Sequence, residues 1–431
     1  MSNSVLSPFG EIPNDWEYQI VIDNVDFLTG PTFDSSLFNT ESRGARLVRG
    51  INLTKGSTRW SEEKTKYWDV ELDSFKKFQL AVNDILIGMD GSLVGKNYAY
   101  LKDSDLPALL VQRVARLRAK GNLHPKYLYY MYATDFWLDY VEVVKTNSGI
   151  PHISNGDIKN FRFPFPPLPE QQKIAAILTS VDDGIEKTQA QINKLKDLKT
   201  GMMQELLTRG VGVDGKPHTE FKDSPVGRIP KAWDVVQISE LCTDVVDCVN
   251  KTAPVVDYKT PYKMLRTTNI KNGRVDTDNV RCVTKETYHT WTRRMKPESG
   301  DLIFTREAPV GECGVLKDAK GVFLGQRTMM YRANKTKTSS GYLMYSLMSE
   351  YGQKQLENFS GGSTVPHMRV PDCSKILIKL PSLKEQRIIV DSLNSLDFSR
   401  QKKEQKVSKL SSLKKALMQD LLTGKVRVNV E

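Results

Sequence analysis

The sequence predicts an α+β protein in which two strand-rich α/β domains are separated by two long antiparallel coiled-coil helices, related by a pseudo-two-fold internal repeat. Three observations predict it. The chain repeats itself at a nearly constant offset, two stretches carry short β-rich runs punctuated by Gly, Pro, Asn and Asp, and two others carry apolar residues every three or four positions. With 431 residues there is room for two or three domains, each able to bury its own core.

The repeat is read directly. GEIPNDWE, with Ile12, Pro13 and Trp16, recurs as GRIPKAWD, with Ile229, Pro230 and Trp233, an offset of 217. Arg49, Asn52, Gly56 and Asp84 return at the same offset as Arg266, Asn269, Gly273 and Asp301. Further on, Gln112-Arg113 matches Gln326-Arg327, Tyr127 and Tyr130 match Tyr342 and Tyr345, and Pro151-His152 matches Pro366-His367. Residues 168–210 and 383–425 share 17 identities in 43 positions, where unrelated segments would share about 3. The boundaries that follow are a first domain at 1–167, a helix at 168–208, a linker at 209–228, a second domain at 229–382, a second helix at 383–425 and a tail at 426–431.

In the domains, runs such as DILIG, DLIFT, GVFLG and KILIKLP read as strands. A helical stretch is expected near 124–145 and again near 341–358. Trp16, Trp233, Tyr127 and Tyr342 are expected to anchor the cores.

The helices rest on periodicity. One seam runs through Ile174, Leu178, Val181, Ile185, Thr188, Ile192, Leu195, Lys199, Met202 and Leu206; the other through Ile389, Leu393, Leu396, Arg400, Lys403, Val407, Leu410, Lys414, Leu417 and Leu421. Such spacing over four to five heptads, with Pro169 and Pro381 at the entries, gives rods of roughly 55 Å at 1.5 Å per residue. Two helices with a whole domain between them can bury their seams on each other, antiparallel. Lys199 and Lys414 occupy equivalent seam positions, and two readings stand: a register-fixing role, or solvated ends of a loosely packed helix.

Lys and Arg outnumber Asp and Glu to give a net charge of +11. Clustered, such charge binds phosphate backbones by releasing counterions; scattered, it keeps a protein soluble. No apolar run is long enough to span a membrane, and the first residues lack the basic, then apolar, pattern of a secretory signal, so a cytoplasmic protein is expected. The five cysteines contain no C-x-x-C pair, which predicts neither a disulfide framework nor a metal site.

The order of globular domain, LPPLPEQQKIAAIL helix ending in LLTRG, second domain, and EQR helix ending in LLTGKVRV closely resembles the specificity (S) subunits of type I restriction–modification systems. The likeness runs over nearly the whole chain; the second copy reads LPSLKEQR where the first reads PPLPEQQ. It implies that the globular parts are target recognition domains, each reading one half of a bipartite site in double-stranded DNA. It also implies that the helices set the gap between half-sites and dock methyltransferase (M) subunits, two of them, and that restriction (R) subunits join the complex. Because the two copies differ in their loops, the target should be asymmetric.

Within each domain, phosphate contacts set position and base-edge contacts set sequence; Arg matches guanine, and Asn or Gln matches adenine. The candidate DNA-binding set is Arg43, Arg46, Arg49, Lys55, Arg59, Lys96 and Arg113 in the first domain. In the second it is Arg266, Lys271, Arg293, Arg294, Arg306 and Arg327. For any single member a surface ion pair is the competing role. The loops TNSGIPH and SGGSTVPHMR sit at matching places; their Gly and Ser suit either phosphate approach or an ordinary turn. His152 and His367 fit a packing or capping role better than catalysis.

No enzyme signature emerges. GSLVGKN at 91–97 has the wrong glycine spacing for a phosphate loop, PFPP at 164–167 lacks the polar and aromatic residues of an amino-methyltransferase loop, and Pro371-Asp372 lacks the downstream partner of a nuclease. The chain is therefore expected to be non-catalytic and to hold no cofactor. Two other classes stay open: a stand-alone DNA-modifying enzyme, which would turn over by itself, and a coiled-coil adaptor, which would bind no specific DNA.

Overall fold

Apolar runs that are buried on both faces make the central strands. Ile85, Leu86 and Ile87, and their counterparts Leu302, Ile303 and Phe304, are all fully buried, so these segments can only lie between other layers. The computed structural model describes residues 6–7, 9–70, 72–146, 149–361 and 366–430. Its chain divides into two compact units, Met1–Gln189 with Gln405–Glu431, and Ala190–Glu404. Each unit thus holds one strand-rich domain, the first half of the helix that follows it and the last half of the other helix.

In the first unit a five-stranded sheet has the order Val25–Thr29, Val114–Ala119, Ile85–Gly88, Tyr98–Tyr100, Lys55–Gly56, antiparallel except for its last pair. A smaller sheet pairs Ala45–Val48 in parallel with Ala108–Leu110 and antiparallel with Tyr67–Trp68. The second unit repeats the plan. Cys242–Asp247, Thr328–Ala333, Leu302–Arg306 and Val310–Val315 form one sheet; Arg281–Cys282, Lys263–Leu265 and Val322–Leu324 form the other, with the parallel pair again between Lys263–Leu265 and Val322–Leu324. A bidentate pair pins each main sheet: Arg118 to Asp84 at 2.7 and 2.8 Å, and Arg332 to Asp301 at 2.9 Å twice, both carboxylates buried.

The helical stretches of the domains are each two helices, Pro125–Tyr132 with Asp135–Val144, and Ser340–Met348 with Glu350–Phe359. A cap residue makes the break. Thr134 accepts the amide of Trp137 and Ser349 that of Gly352, so the chain restarts where apolar periodicity alone suggests continuity. Trp137, Tyr127, Tyr130 and Tyr132 fill the first core; Trp233, Tyr342, Tyr345 and Tyr331 fill the second.

The two long helices run Leu168–Leu206 and Leu383–Leu421, 39 residues each, and pass through Gly184 and Gly201 without a break. Every seam residue named above is buried or half-buried. In the first unit Asp182 meets Lys414, and Gly184 lies against Leu410; in the second Gln191 meets Lys403, and Lys199 meets Asp397. Advancing along one helix retreats along the other, so the pair is antiparallel. Lys199 and Lys414 are not solvated ends: both ammoniums are mostly buried and each engages a carboxylate on the opposite helix.

A buried carboxylate heads each helix. Glu170 accepts the indole N–H of Trp16 at 2.9 Å, and Glu385 that of Trp233 at 3.0 Å. The next residues, Gln171 and Gln386, donate to the main-chain carbonyls of Asn122 and Pro166, and of Lys337 and Pro381. The remaining Glu385 oxygen accepts from His218 and from the amides of Val211 and Gly212. Glu170 instead takes Arg427, which also grips Asp15 at 2.8 and 2.7 Å. Leu421 and Leu422 sit in the first core, each worth about 1.5–3 kcal/mol of burial.

Arg427→Ala should therefore lower the stability of the first unit by about 1–3 kcal/mol, seen as a lower urea midpoint for that unit. The Arg427 hydrogen bond also holds the Asp15 carboxyl below its ordinary value. That contribution is complete above the ordinary carboxylate pKa and disappears as pH falls through the lowered one, so the variant should show a shallower acid limb in a pH–stability profile.

Candidate nucleic-acid interface

A parallel strand pair delivers both of its chains to the same end, and here that end carries arginine. Val48 lies opposite Leu110, after which one chain continues as Arg49 and the other as Val111, Gln112 and Arg113, tied by the Val111 amide to the Val48 carbonyl. Leu265 lies opposite Leu324, after which come Arg266 and, past Gly325, Gln326 and Arg327. The Gly325 amide donates to Leu265 at 2.8 Å; a Cβ at Gly325 would stand 2.2 Å from that carbonyl oxygen, which is why the turn needs glycine.

The neighbouring central strand adds an acid at the same edge. Asp90 pairs with Arg113 at 3.7 Å, and Glu307 with Arg327 at 3.2 Å. Each acid is also bridged in an antiparallel step to a histidine, Asp90 to His152 and Glu307 to His367, so the two late loops lie along this edge. Within those loops, Asn147, Ser148 and Gly362, Ser363, Thr364, Val365 lie outside the described residues. His152 shares a 2.8 Å hydrogen bond with Thr146. Arg327 and Ala308 both hold positive φ without being glycine, a strain of about 1–3 kcal/mol each of the kind that collects at functional sites.

The candidate arginines divide by how they are spent. Arg113 and Arg327 keep 57% and 45% of their side chains exposed, so each can trade its carboxylate for a phosphate or a base. Arg306 is only 12% exposed and bonds Asp247 at 3.0 Å; burial, the largest single influence, would lower its pKa, and the charge and hydrogen bond of Asp247 together with nearby Cys248 and Cys373 outweigh it, so the net shift is upward. Arg294 donates to the carbonyls of Asp247 and Cys248 at the same corner. Arg49 donates to the Lys64 carbonyl, and the half-buried Arg49 and Arg266 each keep a buried Nε with no hydrogen bond.

Others stand apart. Arg43 pairs with Glu41 and Asp69 at the opposite end of its strand. Arg46 donates to Ser104 and stacks 5.3 Å over Trp60, and Arg59 donates to Ile51. Lys96 is exposed on the loop after the central strand; Lys55, Lys271 and Arg293 are exposed elsewhere on their domains. Sequence reasoning missed Asp90, Glu307 and Asp247. Asp90 and Glu307 could have been found, since they share the repeat offset and follow the matched central strands.

Other chemistry is poorly served. Burial pushes the thiols of Cys242, Cys313 and Cys373 up to about 12, so none is a ready nucleophile near neutral pH. Among the described residues, no three His, Cys, Asp or Glu side chains converge as a metal site would require, and no helix is long and apolar enough to cross a membrane.

The profile of the type I restriction modification DNA specificity domain matches residues 13–197 and again 230–410. The chain belongs to that family. It is 31% identical over 353 residues to the type I restriction enzyme MjaVIII specificity subunit of Methanocaldococcus jannaschii, covering 80% of each chain. To the EcoBI specificity subunit of Escherichia coli it is 24% identical over 405 residues, 91% of this chain and 81% of that one. The crystal structure of an S subunit from M. genitalium shares the fold, with a TM-score of 0.60 at 14% identity over 95% of this chain and 96% of that one. A specificity subunit with two matched domains explains why the same arginine-bearing edge is built twice.

If the acid at that edge restrains its arginine, Glu307→Gln should raise affinity for a random-sequence duplex by about threefold and steepen its salt dependence by close to one ion. Fluorescence anisotropy across a salt series measures both.

Proposed function

We propose that this specificity subunit reads an asymmetric, bipartite duplex target, one half-site at each repeated edge, and performs no chemistry of its own. Specificity subunits of type I systems work with M and R subunits on DNA, and we assign this chain two M subunits, with R subunits joining for restriction, in the cytoplasm. The observation that carries this is the doubled edge: Arg49, Gln112 and Arg113 in one unit, Arg266, Gln326 and Arg327 in the other, on the same strand ends. The frame is shared while its neighbours differ, with Arg294 and Arg306 gathered around Asp247 beside the second.

In this reading Arg113 and Arg327, the most exposed of the set at the edge, reach the bases, with Gln112 and Gln326 beside them. Gln326 is already oriented by Thr252, which lies 2.9 Å away. Arg306 and Arg294 act as buttresses around Asp247. Lys96 and the buried-stem Arg49 and Arg266 supply phosphate attraction, and Arg43, Arg46, Lys55, Arg59, Lys271 and Arg293 contribute a diffuse positive field.

Methylome sequencing of cells carrying this chain and its neighbouring M subunit should return a two-part motif with unlike halves. Arg113→Ala should relax one half and Arg327→Ala the other, each costing about 1–3 kcal/mol of discrimination. A contiguous motif, or one variant degrading both halves alike, would count against two separate readers. Methyl transfer by the purified chain without M would overturn the assignment as non-catalytic.

A further inference from the structure

One pair of matching networks lies outside the reading edges and ties three elements together. In the first unit, Asp182 on the first long helix accepts from Tyr130 at 2.9 Å and from Lys414 on the second long helix at 2.6 Å. In the second unit, Asp397 accepts from Tyr345 at 2.9 Å and from Lys199 at 2.7 Å. The tyrosines belong to the domain helices Pro125–Tyr132 and Ser340–Met348 and are fully buried. Each lysine also stands over the ring of its tyrosine, at 5.4 and 5.1 Å. Thr179 and Asn394 complete the two tyrosine hydroxyls, and Arg400 approaches Asp397 at 3.4 Å.

An apolar seam is poor at choosing its register, because burial is non-directional and leucines a heptad apart are interchangeable. A partly buried ion pair does choose, since the wrong register strands a charge away from water. A slip of one helical turn is about 5.4 Å, more than the roughly 3.4 Å that separates successive base pairs. A reader clamped to both helices at one residue is therefore held more finely than one base-pair step.

We propose that Tyr130–Asp182–Lys414 and Tyr345–Asp397–Lys199 are positioning triads that fix where each recognition domain docks on the helix pair, and so make the subunit accept a single gap between half-sites. This rests on the bipartite reading above. The triads touch no base and add no affinity; they narrow specificity.

The test compares methylomes of cells carrying the M subunit with either the wild-type chain or one of three variants: Tyr345→Phe, Lys199→Met with Asp397→Leu, and the exchanged pair Lys199→Asp with Asp397→Lys. The wild-type chain should modify one gap length. The double apolar variant should also modify sites one base pair longer or shorter, at about a tenth or more of the native level, with Tyr345→Phe showing a weaker version; the exchanged pair should restore the single gap. Circular dichroism and a melting curve identify variants that fold, and Tyr345→Phe, which removes one oxygen, keeps the test open should the double variant not fold. Folded variants that modify only the native gap, or that lose all gaps equally, overturn the triads. A contiguous wild-type motif would instead overturn the bipartite reading itself.

Discussion

A buried carboxylate at the start of each long helix is the constraint on which the rest depends. Glu170 and Glu385 are nearly inaccessible to solvent, and an ionised group in that position is tolerable only if several donors meet it. The indole of the tryptophan that opens each domain supplies one, the helix amino terminus favours the negative charge, and a segment distant in sequence supplies the others. The entrance to each domain, the start of its rod and the end of the opposite rod are thereby held at one atom group. The glutamine that follows performs the same service for loose carbonyls on both sides. The PLPEQ and LKEQR signatures are therefore structural knots first, and they recur because the same knot must be tied twice.

Much of this was legible in the sequence because it is periodic or repeated. Strand runs, seam positions and the matched Trp, Tyr and Asp residues all announce themselves by spacing, and the antiparallel helices follow from connectivity. What spacing does not convey is partnership. Arg118 and Asp84 are 34 residues apart, and Arg427 and Glu170 are 257 apart; nothing local marks either pair. The unit boundaries were hidden for the same reason: the sequence breaks where helix begins, while the compact bodies divide midway along both helices. Thr134 and Ser349 show a third limit, for a single capping hydroxyl interrupts a helix whose apolar pattern runs on.

At the reading edges the lesson concerns charge. Counting arginines gives candidates but cannot tell an exposed, exchangeable guanidinium from one already committed to a buried partner. Arg113 and Arg327 are held loosely by an acid on the adjacent strand, which keeps them extended without burying them. Arg306 is buried against Asp247 instead. Net charge favours encounter with a polyanion, while Arg113 and Arg327 are the members of the candidate set at this edge whose ion pairs are exposed enough to be exchanged.

The return of the final segment to the first unit has a consequence for biogenesis. Residues 405–431 leave the ribosome after everything else in this sequence, yet Leu421, Leu422 and Arg427 complete the body begun by residue 9. The second unit, continuous from Ala190 to Glu404, has all of its residues available earlier. The unit begun first is thus completed after the second, and a chain halted before Leu421 has every residue of the second unit but lacks part of the core of the first.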